Sequence, residues 1–269
     1  MILLVENAQA YCYTGGRPFD GDLPTVVFIH GAQNDHSVWN QQSRWFAHHG
    51  FNVLAVNLPG HGRSKGAAKT SVEAMALWLL AVLDAAGVER AMLVGHSMGS
   101  LVALEASYQA PARVSGVAML GTTYPMKVSD ALLETARADE PAAIDMVNIF
   151  SHSMRAQNPF CPSAGVSTMG VSRRLMQRMS AINPQHLFHT DFTACNAYAN
   201  GEAAAKALQC PALFIFGSKD MMTPARSTKL LTSSVPHGKI VHVDAGHSLM
   251  SEQPGAVLDA LIAFAAASV

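Results

Sequence analysis

The sequence predicts an α/β fold, a doubly wound and mostly parallel eight-stranded sheet carrying an inserted helical cap. Three observations predict it. Short apolar runs rich in β-branched residues alternate with helical patterns along the first 120 residues. That rhythm breaks from Gly121 to Gln209 and then resumes. A Gly-x-Ser-x-Gly pentapeptide, Gly95-His96-Ser97-Met98-Gly99, stands where one strand pattern turns into a helix pattern. Repeated βαβ units give a parallel sheet with right-handed crossovers, and ligands of such sheets sit beyond the carboxyl ends of the strands.

The elements follow in order. Residues 2 to 5 and 9 to 13 read as two short strands turning at Glu6-Asn7, and Thr14-Gly15-Gly16 with Pro18 closes the hairpin region. Thr25-Val26-Val27-Phe28-Ile29 suits a strand buried on both faces and ends in His30-Gly31-Ala32. Val38 to His49 reads as a helix, Phe51 to Val56 as a strand, and Leu58-Pro59-Gly60-His61-Gly62-Arg63-Ser64 as a loop. Val72 to Ala86 places Met75, Leu79, Leu80 and Leu83 on one helical face, with Gly87 in the position of a C-terminal cap. Strand 91 to 94, the pentapeptide, a helix from Met98 to Gln109 and strand 114 to 120 complete the first half.

Between the two halves, Ser129 to Ala138 and Val171 to Ala181 are helical without a convincing strand between them. The expected division is a core of residues 1–121 and 210–269 and a helical cap of 122–209, working as one unit. Met146, Met154, Met169, Met176 and Met179 make this segment Met-rich, which suits ordinary filling of a core or an adaptable apolar wall. Strands then return at 212–216 and 239–243, with helices from Pro224 and from Pro254 to Ala267. A proline fits the first turn of a helix, where its missing N–H goes unneeded.

Composition narrows the function. The chain has 269 residues, 49% of them apolar, enough for a sizeable core. Charged residues are 14% and balance to a net −1, which offers nothing to a polyanion. Nucleic acid is therefore not an expected partner; a small-molecule substrate is. The N-terminus, Met1-Ile2-Leu3-Leu4-Val5-Glu6, has neither the charge nor the apolar length of a signal peptide, and no 18-residue apolar run occurs. These features predict a cytoplasmic protein without a membrane span. Cys12, Cys161, Cys195 and Cys210 form no Cys-x-x-Cys pair, and no histidine shows ligand spacing, so no metal is expected. Oligomeric state is open, a homodimer being one option.

Chemistry centres on Ser97. A strand-to-helix turn of this type pushes a serine Oγ out at the sheet's carboxyl edge. A free serine is a poor nucleophile near neutral pH, so it needs a base, and that base needs a partner to fix its tautomer. His247, in the loop after strand 239–243, is the expected base. His96 and His30 lie at strand ends and are expected to shape the site rather than titrate in catalysis. Asp220, after strand 212–216, is the expected acid, with Asp244 as its competitor and Asp191 and Asp145 further behind. The oxyanion of a tetrahedral intermediate calls for backbone N–H donors, expected from Met98 and from Ala32.

Several motifs in this order carry a resemblance. His30-Gly31 followed by Trp39, the loop Leu58 to Ser64, Gly95 to Gly99, Gly217 to Pro224, and Gly246-His247 through Glu252 and Pro254 resemble the α/β-hydrolase fold superfamily of cap-bearing, esterase-like enzymes. Two positions depart from its pattern. Asn57 stands where an Asp is frequent, and Ser100 where a second Gly is frequent. The resemblance implies a cofactor-free hydrolase with the chain order Ser, acid, His, cleaving a small to medium, largely apolar carboxylic ester or lactone. A carbon–carbon hydrolase of a ring-cleavage product and a ligand-binding protein with little turnover are the alternatives. Trp39, Tyr124, Phe150, Met154 and Phe160 are the candidate substrate-pocket residues.

Overall fold

The computed structural model describes residues 1–154, 167–183, 185–235 and 237–267. Its centre is one eight-stranded sheet in the order β1-β2-β4-β3-β5-β6-β7-β8. The strands are β1 (Ile2–Val5), β2 (Ala8–Tyr13), β3 (Thr25–Ile29), β4 (Asn52–Val56), β5 (Ala91–His96), β6 (Val114–Leu120), β7 (Ala212–Gly217) and β8 (Lys239–Val243). β1 pairs antiparallel with β2 and β2 with β4, and every other pairing is parallel. The sheet is thus mixed at one end. Chain reversal accounts for this end, because Glu6 and Asn7 both adopt positive φ and close the β1–β2 hairpin.

β3, β4 and β5 are buried at every position, which is why each reads as an unbroken apolar run. The outer strand β8 exposes Lys239 and Ile240. Two helical layers cover the sheet. One holds α2 (Val72–Ala85) and α3 (Met98–Gln109), whose Leu79, Leu83, Leu101 and Leu104 pack on Val27, Leu54 and Leu93. The opposite layer holds α1 (Asn40–Ala47) and α11 (Pro254–Ala265), with Phe46, Leu261 and Phe264 against Phe28, Val94 and Ile215. The segment expected as a helix over 38–49 begins two residues earlier as a 3₁₀ turn at His36–Trp39, set by Asp35, whose carboxylate accepts the Ser37 N–H.

The insertion between β6 and β7 contains α4 (Asp130–Ala138), α5 (Glu140–Ser151), α6 (Thr168–Ile182), α7 (Leu187–Ala197) and α8 (Gly201–Lys206). Ser129, Asp139 and Ser167 cap the first three, each accepting a backbone N–H of the first turn. Leu132, Ala136, Ala143, Ile144, Met176 and Phe188 form an apolar core of their own here. α8 differs: Ala204 and Ala205 pack into the layer of α2 and α3. Tyr198 and Asn200, just before it, donate to the buried Glu105 carboxylate of α3. After β7, the expected helix from Pro224 is instead a 3₁₀ turn at Ala225–Ser227 followed by the short α9 (Lys229–Ser234). α10 (Leu249–Glu252) follows β8. No helix among the described residues is long and apolar enough to cross a membrane.

Candidate active site

Ser97 sits between the end of β5 and the start of α3 with φ 51° and ψ −119°. A non-glycine residue at positive φ carries strain of order 1–3 kcal/mol and persists only where its surroundings impose it. Here the Ser97 N–H donates to the Leu120 carbonyl at the end of β6, and the Ser97 carbonyl accepts the Ser100 N–H, both at 2.9 Å. The flanking glycines are needed for close approach. A Cβ on Gly95 would lie 2.1 Å from the Gly99 carbonyl oxygen, and one on Gly99 would lie 2.3 Å from the Ile29 carbonyl oxygen. Ser100, where the resembled pattern has glycine, places its Oγ 2.5 Å from the Ser97 carbonyl and 2.7 Å from Thr122 Oγ1. It is an added brace beneath the turn.

Asp220 and His247 arrive from the loops after β7 and β8 and meet. His247 Nδ1 lies 2.8 Å from Asp220 Oδ2, with both side chains buried. A carboxylate only accepts, so a ring proton sits on Nδ1 facing Asp220. The other Asp220 oxygen accepts the Met222 and Thr223 N–H groups at 2.8 Å each, and Thr223 Oγ1 donates to Oδ2 at 2.7 Å. Burial alone would raise this carboxyl. The His247 ring and these hydrogen bonds outweigh burial and hold it below the usual carboxylate range. The competitor Asp244 instead pairs with Lys219 at 2.7 Å on the surface. Asp145 pairs with Arg173, also at the surface.

Two further histidines are held neutral. His96 Nε2 donates to the His247 carbonyl at 2.9 Å and steadies that loop, while burial drives its pKa from 6.5 down to about 3. His30 accepts the Leu58 N–H on Nε2 at 3.1 Å, so its Nδ1 carries the proton and donates to the Gly31 carbonyl at 2.8 Å. Its pKa is likewise lowered to about 3, by burial and by the neighbouring His61. The Gly31 carbonyl and Ala32 N–H belong to one trans peptide, so tying the carbonyl to His30 turns the Ala32 N–H the opposite way.

Two cavities meet at Ser97. The larger, about 860 Å³, runs from Gly31 and Asn34 under α6 to Ser248 and Met250. The smaller, about 220 Å³, is apolar and bounded by Met126, Leu132, Met146, Phe150 and Met221. Ala32, Ser97, Val147, Phe192, Met222 and His247 line both. Met98 is fully buried as the first residue of α3, the end of a helix where N–H groups lack intrahelical acceptors.

Of the aromatic and methionine residues expected in the pocket, Phe150 alone among the described ones lines either of these two cavities. Trp39 is fully buried on the other side of its turn, 5.2 Å from the Phe28 ring, because it anchors α1 to the sheet. Tyr124 is buried against Gly201 and Tyr198, with its hydroxyl donating to the Ala199 carbonyl. Met154 is 86% exposed. Phe160 lies outside the described residues, as does Cys161. Among the residues lining both cavities, Phe192, Val147 and Met222 are the ones sequence reasoning missed. For Met222 a signal existed, since it lies two residues after the acid on the same turn; for the other two there was none.

Residues 24–254 match the family model described as the α/β hydrolase fold. The chain belongs to that family. Among its relatives, the (E)-2-((N-methylformamido)methylene)succinate hydrolase of Acinetobacter baylyi is 24% identical over 233 residues, 83% of each chain. The 3-oxoadipate enol-lactonase 1 of the same organism is 23% identical over 254 residues, covering 94% of this chain and 92% of the relative. The crystal structure of the enol-lactonase from Burkholderia xenovorans LB400 superposes with a TM-score of 0.85 at 20% identity, covering 99% of this chain and 100% of that one. This α/β hydrolase thus shares its fold and most of its length with enzymes whose sequences have diverged widely.

Proposed function

We propose that this protein is a serine hydrolase that cleaves a small to medium, largely apolar carboxylic ester or lactone through an acyl-enzyme. The observation that carries the reading is the Asp220–His247 hydrogen bond at 2.8 Å, beside a nucleophile turn whose serine shares both cavities with His247. In this reading Ser97 Oγ attacks the carbonyl carbon as its proton passes to His247 Nε2. Asp220 orients the ring and stabilises the imidazolium. The N–H groups of Met98 and Ala32 hold the oxyanion, each contributing about 3 kcal/mol to lowering the barrier. Collapse expels the alcohol oxygen, which takes the proton from His247. Water, deprotonated by the same ring, then attacks the acyl carbon, releases the acid and restores Ser97.

The smaller cavity's mostly apolar walls favour an uncharged group next to the scissile carbonyl. The test is a panel of p-nitrophenyl esters of graded acyl length, simple lactones and a vinylogous diketone, run on the wild type and on Ser97→Ala. Turnover of short esters or lactones that disappears in Ser97→Ala is expected. Full activity in Ser97→Ala, or turnover of the diketone alone, would overturn the reading.

A further inference from the structure

Gln33 follows Ala32 in the loop after β3 and is a core residue held almost entirely by the insertion. It is fully buried, with φ 55°. Its side-chain amide lies 3.0 Å from Glu140 Oε1 of α5, and 2.9 Å and 3.2 Å from Ser180 Oγ and the Met176 carbonyl of α6. Its backbone N–H donates to Asp191 Oδ2 of α7 at 2.8 Å. The same Asp191 oxygen lies 2.9 Å from His61 Nε2, in the loop after β4. Asp191 and His61 are both buried, with side-chain exposures of 0% and 1%. A carboxylate buried this completely is retained only where its partners outweigh the cost of desolvation.

The protonation of His61 follows from its neighbours. Nε2 faces the Asp191 carboxylate, and Nδ1 faces the Pro59 carbonyl at 3.0 Å. Both neighbours only accept, so both ring nitrogens carry protons and the ring is a cation. Asp191 Oδ2 is thus held by the His61 ring and by one backbone N–H. The next residue along α7, Phe192, lies on the wall of both cavities with Ala32 and Ser97.

Ala32 therefore lies between two locked peptides. His30 fixes the peptide carrying its N–H, and Asp191 fixes the following one. We propose that Asp191, with His61 as its counter-ion, is a positioning residue for the oxyanion loop, and that it couples the seating of the insertion to assembly of the hydrolytic site. This rests on the serine-hydrolase reading given above. Asp191 touches no reacting atom in it: removing its carboxylate frees the Ala32–Gln33 peptide and lowers the rate of attack while leaving the cavities in place for binding. Displacing a donor by about 1 Å in a site of this kind can cost up to about a hundredfold in rate.

The experiment uses the full chain and measures fluorophosphonate labelling of Ser97 together with kcat and KM on the best p-nitrophenyl ester. Asp191→Ala should slow labelling and lower kcat by about 10- to 100-fold with KM within about threefold of wild type. Asp191→Asn, whose amide oxygen can still accept the Gln33 N–H, should recover most of that loss. Because Asp191→Ala leaves a buried cation unpaired, the double variant Asp191→Ala/His61→Gln serves where the single one fails to fold, with the same loss expected. Labelling and kcat equal to wild type in the folded variants would overturn the positioning role alone, as would a loss confined to KM. A wild type that fluorophosphonate does not label would overturn the hydrolase reading and this one with it.

Discussion

The sheet's carboxyl edge and the helical insertion above it build the site in different ways. At the sheet edge each member of the proposed triad lies within four residues of a strand end. Ser97 follows β5 directly, Asp220 comes three residues after β7 and His247 four residues after β8. Position there is set by backbone hydrogen bonds between parallel neighbours, such as Ser97 N–H to the Leu120 carbonyl. In the insertion, position is set by side chains reaching across from helices: Asp191 to Gln33 and His61, Ser180 and Glu140 to Gln33, Arg178 to Asp35. The first kind of geometry rests mainly on the backbone, with side chains such as His96 and Ser100 bracing it. The second depends on particular polar pairs, so substitutions in the insertion should tune the site where those at the sheet edge switch it off.

The largest expected effect tests the sheet edge. Asp220→Asn keeps the size of the side chain but allows His247 the wrong tautomer, and should lower kcat by about 10⁴. The melting temperature should change little in comparison, since Met222 and Thr223 N–H can still donate to the amide oxygen. A loss of activity below about tenfold would show that His247 is oriented by something other than Asp220.

A second effect concerns the histidines packed at that edge. His96 has its pKa lowered from 6.5 to about 3, because it is buried and sits beside His247. Between those values the unfolded chain binds a proton that the folded chain refuses, so stability must fall as pH falls through that window. From about pH 7 to about pH 5 this single group should cost roughly 2 kcal/mol. Urea unfolding at the two pH values checks it: in His96→Gln the acid loss should be smaller than in wild type by that amount. An equal loss in both would mean that His96 takes up its proton in the folded state.

How legible each region is in the sequence follows from the same difference. Thr25 to Ile29 and Ala91 to Val94 are continuous apolar runs because their strands are buried on both faces, so the sheet and its crossovers could be read directly, and with them the strand ends that carry Ser97, Asp220 and His247. The hydrogen bond between Asp220 and His247 joins loops after adjacent strands, which topology alone brings together. Nothing comparable marks the insertion. Trp39, a large aromatic next to the oxyanion motif, reads as a pocket residue and is a core anchor, since apolar size signals burial but not which cavity or core receives it. Asp191 reads only as a lower-ranked candidate for the acid, because its partners are 130 and 158 residues away. The helix α8, by position part of the insertion, packs with α3 through Ala204 and Ala205, and small residues carry no directional signal.

A third effect sharpens the insertion side of the comparison. Phe192 stands on the wall shared by the two cavities. Phe192→Ala should merge them and shift the preference among p-nitrophenyl esters toward longer acyl chains, by about tenfold in relative kcat/KM, the scale of one or two methylenes in an apolar pocket. An unchanged chain-length profile would place the acyl group away from α7.

The smallest effect returns to the turn itself. Ser100 Oγ lies 2.5 Å from the Ser97 carbonyl and 2.7 Å from Thr122 Oγ1, joining the strained turn to the end of β6. If the turn were held by backbone alone, Ser100→Gly would cost only what a glycine costs within a helix, about 1 kcal/mol. Losing the brace should add about another 1 kcal/mol and leave Thr122 Oγ1 short of a partner. Ser100→Ala separates the two contributions, because alanine keeps the helix propensity and loses only the hydroxyl. A stability loss near 1 kcal/mol in Ser100→Ala, by urea unfolding, is the expected result. No loss would mean that the backbone bonds to the Leu120 carbonyl and from the Ser100 N–H hold Ser97 in place without the Ser100 hydroxyl.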